Sequence, residues 1–583
     1  MTERAQLRHP VRHLMVLGLL VLGIVFLSWR AVDLQVIDTT FLQDQGDARH
    51  LRVINIPAHR GMITDRNGDP LAISTPVDSI CANPQEVIMA RDSLSQLARL
   101  LNINPDNLQR RLASNASREF VYIKRRINPE LAQQVMELNI PGVFLEREYR
   151  RYYPAGEVTA HIIGFTNIDD AGQEGLELAY NDWLRGTAGS KRVIKDRLGR
   201  TIENVESIKA SSPGMDLKLS IDRRIQYLAY RELKAAVLQN NARSGSAVIL
   251  DVKTGEIVAM VNQPSFNPNN RGTMRSDAYR NRAVTDVFEP GSTMKPFTIA
   301  AALETGRYHP ETFIDTTPGY YRVGNSTVRD IRNYGKIDIT TIIQKSSNVG
   351  ASKIALSLEP KQMWEMFSRV GFGSLTGSGF PGEVNGLLTD YWRWHEIERA
   401  TLSFGYGLSV TPLQLVHAYS VLADNGRQKP VSFLRVDKPL RGEHVIEPKI
   451  AQQVLAMMEK VTADGGTGTQ ARIMGYHVAG KTGTVQKSTV GGYSDERYIA
   501  LFAGVAPASS PRLAMVVVIN EPRKDEYYGG HVAAPVFASV MAGALRLMGI
   551  APDDIPSHRT TGNRIARNEP AEHSNIRLVA GGL

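Results

Sequence analysis

The most pronounced pattern along the chain is a run without charge, Leu14 to Trp29 (LMVLGLLVLGIVFLSW), preceded by Arg4, Arg8 and Arg12 and followed by Arg30. A membrane span takes about 20 apolar residues. Ser28–Trp29 and the flanking Arg12, His13 and Arg30 suit the two interfaces, so residues 14–33 read as a transmembrane helix. No small-residue cleavage site follows, which favours an uncleaved signal anchor over a removed leader. Basic residues stay on the cytoplasmic side. Residues 1–13 are then cytoplasmic, and everything after Arg30 lies outside that membrane. Gly18 and Gly23 do not have the spacing of a glycine dimerisation motif.

Beyond the anchor the pattern mixes periods. Residues 31 to about 50 read as a juxtamembrane helix. Asn67-Gly68 is a hairpin-type turn between β-leaning segments in the stretch Arg60 to Ala72. Residues 91–140 carry helical patterning, as in Asp92 to Leu101 and Pro129 to Leu138, and a polar, glycine-containing stretch runs from Arg151 to Gly175. No nucleophile–base pair stands out between 51 and 212. Residues 34–212 therefore read as an elongated mixed α/β pedestal of the dimerisation type, ending at Ser211-Ser212-Pro213-Gly214. From Met215 the pattern changes. Asp222 to Gln239 predicts an amphipathic helix. Ser246–Leu250 and Glu256–Val261 predict strands joined through Lys253-Thr254-Gly255. Further strands are expected at 477–486, 498–506 and 513–520, and a helix from Pro535 to Met548. Residues 215–552 thus read as an α+β domain. One antiparallel sheet, flanked by helices, is built from both ends of the segment, with a largely helical 290–460 region inserted. Residues 553–583 are polar without an apolar period and read as a disordered tail.

Composition changes this picture little. A chain of 583 residues is too long for one hydrophobic core. The net charge of +9 and pI of about 9.4 do not gather into a basic stripe with interleaved aromatics. That excludes nucleic acid as a partner and leaves attraction to anionic headgroups open. Cys81 is the only cysteine, which excludes an internal disulfide and a cysteine-rich metal site.

Three short stretches carry the candidate chemistry. In the first, Glu289-Pro290-Gly291 is a loop and Ser292 opens a helical run, so Lys295 at i+3 shares its face. The positive end of the helix favours oxyanion character at Ser292 and disfavours the lysine's charge. A neutral lysine can take the serine proton, which an alcohol nucleophile needs. The second is Ser346-Ser347-Asn348. A hydroxyl there could relay a proton to a leaving amine, and Asn348 could hold Lys295 or a substrate backbone. The third is Lys481-Thr482-Gly483-Thr484, inside a strand pattern where glycine marks a close approach by another backbone. An extended peptide along that edge would present a terminal carboxylate to Lys481 and to the hydroxyls of Thr482 and Thr484. The N–H groups of Ser292 and Thr484 would form the oxyanion hole. Taken singly, the first two stretches read more readily as a cap, a turn or a solvated lysine than as catalytic groups.

Together they resemble the signature shared by penicillin-binding proteins and serine β-lactamases, with Ser347 in place of the central Asp. The chain is similar to class B penicillin-binding proteins, specifically the division-specific peptidoglycan D,D-transpeptidases of the FtsI type. Additional motifs carry that resemblance: Arg60-Gly61 with Asp65-Arg66-Asn67-Gly68, Arg151-Tyr152-Tyr153-Pro154, Phe404-Gly405-Tyr406-Gly407 running on to Gln414, and Tyr527-Tyr528-Gly529-Gly530. The resemblance implies a penicillin-binding-protein transpeptidase fold and cross-linking of septal peptidoglycan through an acyl-enzyme on Ser292. The acyl group is the penultimate D-Ala of a stem peptide, and a neighbouring stem amine receives it. β-Lactams would acylate the same serine. It further implies that Tyr406, Tyr528 and Gly529 line the cleft and that no metal or organic cofactor takes part. The pedestal would contact other division proteins, and the transmembrane helix would pair with an FtsW-type membrane glycosyltransferase in the inner membrane at the septum. In some relatives the C-terminal tail is removed. Rival readings are a serine β-lactamase, a β-lactam-binding sensor and a divisome scaffold without essential catalysis. A β-lactamase is shorter and needs a glutamate-centred deacylation site not seen between 348 and 481. Sensors usually have several spans and a cytoplasmic effector domain.

Overall fold

The computed structural model describes residues 10–37, 51–118, 120–195, 201–272, 276–489, 492–524 and 526–554. Most of the expected juxtamembrane helix and the tail from 555 onward lie outside the described residues. Helix α1 (Pro10–Val32) is exposed along its whole apolar length. Its 23 residues rise about 34 Å, enough for the hydrocarbon core.

The pedestal begins with β1 (Leu51–Ile56), β2 (Ile63–Thr64) and β3 (Pro70–Ala82). Helices α2 (Arg91–Leu100) and α3 (Pro105–Ala113) follow, then strand β4 (Val121–Ile127) and helix α4 (Pro129–Glu137). Both α3 and α4 start on Pro after Asn, which suits a first turn whose N–H groups have no intrahelical partner. The helical patterning over 91–140 is therefore interrupted by a strand, in which Val121, Ile123 and Ile127 are buried. Strand β5 (Val143–Tyr152) pairs with β3, which also pairs with β4. Strands β6 (Gly189–Lys195) and β7 (Thr201–Lys209) form a separate three-stranded sheet with β1.

At the centre of the pedestal, Glu177 is fully buried between Arg60 and Arg151, each ion pair measuring 2.6 Å. Arg60 also donates to the carbonyls of Asp170 and Glu177 and to Asn181. Removing one partner of such a buried cluster strands the opposite charge without water.

The join between the domains is a pairing of strands. Strand β8 (Leu217–Lys218) runs parallel to β2, so residues just past Ser211–Gly214 belong to the pedestal sheet, and the change of domain comes a few residues later than the turn. The Asn67-Gly68 hairpin between β2 and β3 makes the rest of the join. Asp65 accepts the N–H groups of Asn67, Asp69 and Arg223 at 2.7, 2.9 and 3.1 Å. Asn67 donates to Asp222, and Arg66 pairs with Glu256.

Asp222 caps helix α5 (Arg223–Gln239). Strands β9 (Ser244–Asp251) and β10 (Ile257–Gln263) form the expected hairpin. Helix α6 (Lys295–Glu304) opens the inserted region. A small hairpin, β11 (Tyr320–Val323) with β12 (Ser326–Arg329), interrupts it before α7 (Ile339–Lys345) and α8 (Asn348–Ser357). Helices α9 (Pro412–Ala423) and α10 (Pro448–Thr462) complete this body. Strands β13 (Ala479–Thr489), β14 (Gly492–Ala506) and β15 (Leu513–Asn520) and the last long helix, α11 (Ala534–Leu547), return to the sheet. The sheet order is β10-β9-β15-β14-β13, antiparallel throughout.

Both faces of this sheet are covered. Val248, Leu250, Leu501, Ala503, Val516 and Val518 pack toward α6, α9 and α10. The alternate residues Ala247, Ile249, Phe502, Val517 and Ile519 pack toward α5 and α11. That explains why these strands read as unbroken apolar runs instead of alternating ones. Helix α6 is buried on every side from Lys295 to Leu303, the mark of a helix inside a core.

Glu177→Ala is expected to destabilise the pedestal by about 3–5 kcal/mol, because it leaves two buried guanidinium groups without their carboxylate. Thermal unfolding of the detergent-solubilised chain checks this. An unchanged transition would show that the ion cluster contributes nothing to holding the pedestal.

Candidate active site

Ser292 sits in a tight turn, Gly291–Met294, that leads into α6. Two glycines allow it. Gly291 has φ of +56°, and a methyl group there would lie 2.4 Å from Val485 on β13. Gly405 has φ of +85°, and a methyl there would lie 2.1 Å from the Gly291 carbonyl. The turn is thus clamped between strand β13 and the Phe404–Gly407 loop. Tyr419 of α9 donates to the Thr293 carbonyl at 2.9 Å and braces it from beneath. Ser292 itself stays partly exposed.

One turn on, the Lys295 side chain is fully buried, and its Nζ meets four oxygens. These are Ser292 Oγ at 3.1 Å, the Ser346 carbonyl at 2.5 Å, Ser346 Oγ at 3.1 Å and Asn348 Oδ1 at 2.8 Å. Ser346, between α7 and α8, is itself in the left-handed region, with φ of +61°. A non-glycine residue in that region is uncommon, and strain of this kind clusters at functional sites. Its neighbour Ser347 caps α8 by accepting the Gly350 N–H. So the middle serine of this motif is the structural one, and the outer two residues face the lysine.

Strand β13 is an edge strand, paired only with β14 among the described residues. Lys481 is buried, and the hydrogen bond found for its Nζ goes to the Thr482 carbonyl at 3.3 Å. The structure brings Lys481 near enough to Lys295 for the two charges to oppose each other, but without a hydrogen bond between them. The Thr482 hydroxyl is paired with Thr467 at 2.8 Å, and the Thr484 hydroxyl accepts the Gly529 N–H at 2.9 Å. Both hydroxyls thus have protein partners that a ligand would share or displace. A methyl on Gly483 would come within 2.7 Å of Leu501, and one on Gly529 within 2.2 Å of the Gly483 carbonyl. The Tyr527–Gly530 segment therefore lies hard against the back of β13. At the strand's far end, the Gln486 N–H donates to Tyr406 Oη at 3.2 Å. That N–H faces away from β14, and successive backbone groups alternate sides. The Thr484 N–H therefore faces the same open edge. Tyr528 stands at the rim, 45% exposed and stacked on Tyr527.

Burial lowers the pKa of Lys295 well below the ordinary lysine value. The nearby Lys481 pushes it the same way, and Asp330 opposes both. Burial pulls Lys481 down to about 7. Among the described residues no group of His, Cys, Asp or Glu has the arrangement of a metal site.

Several contributors were not visible in the motifs. Asp330 accepts from Ser347 Oγ at 2.6 Å and from the Asn348 and Val349 N–H groups at 2.5 and 3.0 Å. Nothing in its polar surroundings marks it in the sequence. Glu289, noted only as part of a loop, accepts from the Gly407 N–H at 2.8 Å and from Tyr493 Oη at 3.0 Å. It ties the Tyr406 loop to β14. Tyr419 and Thr467 are equally anonymous in sequence.

The family described as the penicillin-binding protein transpeptidase domain matches residues 245–542, and the penicillin-binding protein dimerisation domain matches 55–219. The chain is 47% identical to peptidoglycan D,D-transpeptidase FtsI of Escherichia coli strain K12, over 95% of this chain and 94% of that protein. Among solved structures, the transpeptidase domain of penicillin-binding protein 3 from Burkholderia pseudomallei is 40% identical. It covers 58% of this chain and 98% of its own, with a TM-score of 0.54. Penicillin-binding protein 3 from Mycobacterium tuberculosis, complexed with aztreonam, is 28% identical and covers 86% of this chain and 98% of its own, with a TM-score of 0.67. A serine set against a buried lysine beside a sheet edge, a pedestal joined strand to strand and these extensive likenesses agree: the chain belongs to the class B penicillin-binding proteins, with a dimerisation domain followed by a transpeptidase domain.

Proposed function

We propose that this protein is a membrane-anchored peptidoglycan D,D-transpeptidase that cross-links stem peptides of the septal wall through an acyl-enzyme on Ser292. The observation that carries the reading is the set of four oxygens around Lys295 Nζ. Two of them are carbonyl oxygens, of Ser346 and Asn348, which only accept. A neutral amine has two N–H groups and a lone pair. Its hydrogens satisfy the two carbonyls, and the lone pair is left to the hydroxyls of Ser292 and Ser346. The buried setting and the second lysine favour that neutral form.

Lys295 then takes the Ser292 proton as Oγ attacks the penultimate D-Ala carbonyl. The Thr484 N–H on the open strand edge, with the Ser292 N–H at the start of its turn, receives the developing oxyanion. Ser346, in contact with the same Nζ, passes the proton to the departing D-Ala amine. The incoming stem amine reverses these transfers. Lys481, Thr482 and Thr484 receive the terminal carboxylate, and Tyr406, Gly483, Tyr528 and Gly529 shape the wall beside it. A β-lactam follows the same first step and stays on the serine. Helix α1 anchors the chain with its N-terminus cytoplasmic and its catalytic domain periplasmic, beside an FtsW-type glycosyltransferase and other division proteins at the septum. The division role draws its support from relatives named FtsI.

A fluorescent penicillin is expected to label the solubilised protein at Ser292, as read by peptide mapping, and Ser292→Ala should abolish the label. Labelling that persists in that variant would remove the assignment. Rapid release of hydrolysed penicillin would favour a β-lactamase instead.

Lys295→Ala should slow penicillin acylation by on the order of 10²–10⁴-fold, the usual contribution of a positioned base. In the unmodified protein the acylation rate should rise with pH as Lys295 loses its proton. Because its pKa is lowered, that rise should be centred well below the ordinary lysine range. Stopped-flow acylation across pH checks both, and a rise centred at the unshifted lysine value would refute a neutral Lys295.

A further inference from the structure

The turn that carries Ser346 and Asn348 is gripped from outside its own two helices. Asp330 follows directly after strand β12. Hairpin β11–β12 rests on the inserted helical body through Val323 and Val328, which pack with Ala400 and Phe404. Phe404 precedes Gly405, the residue that covers the Ser292 turn. From this mount the Asp330 carboxylate uses both oxygens. Oδ2 accepts the Ser347 hydroxyl, and Oδ1 accepts the Asn348 and Val349 N–H groups. Beside it, Asn348 Nδ2 donates to the Arg329 carbonyl at 3.2 Å. These bonds hold the first turn of α8, where N–H groups lack intrahelical acceptors and a negative charge is favoured. With three donors in place, the carboxylate is committed to the turn, so its part in the reaction is indirect.

The electrostatic setting points the same way. Two charged residues face Lys295: Lys481 from β13 and Asp330 from the end of the hairpin. The other groups around its Nζ are the neutral Ser292, Ser346 and Asn348. Asp330 in turn faces Tyr334, which lies beside Arg332.

We infer that Asp330 is a positioning residue for acyl transfer: its carboxylate, mounted on the β11–β12 hairpin, holds Ser346 and Asn348 against Lys295 and supplies the negative charge that two buried lysines otherwise lack. This inference rests on the acyl-transfer reading of Ser292 and assigns a part to a residue outside its three motifs. The hairpin thereby becomes a structural support of the site, since whatever shifts it shifts the proton relay.

The test uses the full chain in detergent with Asp330→Ala, Asp330→Asn and Asp330→Glu, each with and without Ser346→Ala. Penicillin acylation rates are measured across pH, beside thermal unfolding. Asp330→Ala should slow acylation by on the order of 10–100-fold, the scale of a small misplacement in a catalytic group. Asp330→Glu should recover part of the loss. Asp330→Asn keeps the shape and removes the charge. Since Asp330 holds the Lys295 pKa up, its acid limb should move to lower pH. In the Ser346→Ala background, Asp330→Ala should cost clearly less than it does alone, because part of its effect runs through Ser346. A wild-type rate and pH profile in both Asp330→Asn and Asp330→Ala, or full additivity with Ser346→Ala, would overturn the inference. If Asp330→Ala fails to fold, the pH profile of Asp330→Asn decides. Absence of Ser292 labelling in the unmodified protein would instead tell against acyl transfer itself.

Discussion

A lysine lies at the head of a helix that is buried on all sides, and the rest of the site is arranged around that fact. An isolated ammonium in such a place is unfavourable by several kcal/mol, and burial ordinarily shifts a lysine toward its neutral form. Here the amine is surrounded by oxygens, but two of them are carbonyls that ask only for hydrogens. A second buried lysine adds repulsion, and one carboxylate on a hairpin offsets it. Burial and the second lysine thus push the amine toward the form with a lone pair, beside a serine that is partly exposed. Burial supplies the chemistry, and the surrounding oxygens set its direction.

The pedestal is continuous with this arrangement. Strand β8 pairs with β2, and the Asp65–Asn67 hairpin engages the N-terminus of α5 through Asp222 and Arg223. Arg66 reaches Glu256 at the start of β10, in the hairpin that forms one side of the main sheet. The polar turn that the sequence marks as a simple hairpin is therefore the fastener between the two domains. Contacts made on the pedestal bear on a sheet whose opposite edge is β13.

How much of this could be read from residues alone follows from how local each signal is. The strands of the main sheet were legible because both faces are covered, so β15 is an unbroken apolar run. The Ser292–Lys295 face was legible because i and i+3 are neighbours on any helix. The division of labour within Ser346-Ser347-Asn348 was not, because it depends on a single left-handed residue that makes Ser347 the cap. Asp330 was not legible at all: an aspartate in a polar loop gains its part only from the hairpin that carries it to α8. Strand β4 is hidden within a helical pattern because helices flank it closely on both sides. The burial of Glu177 depends on Arg60 and Arg151, which are far from it along the chain.

The glycines at the site have a consequence for how the protein can evolve under antibiotic pressure. Gly291 abuts Val485, Gly405 abuts Gly291, and Gly529 abuts the back of Gly483, each without room for a methyl group. The serine turn meets the strand through the Val485 side chain, and the Gly405 and Gly529 contacts are backbone on backbone, so substitution at these glycines cannot tune the gap finely. On the proposed reading, variation that discriminates between a drug and the natural peptide is left to exposed side chains such as Tyr528, where a change alters the fit without disturbing the spacing beneath.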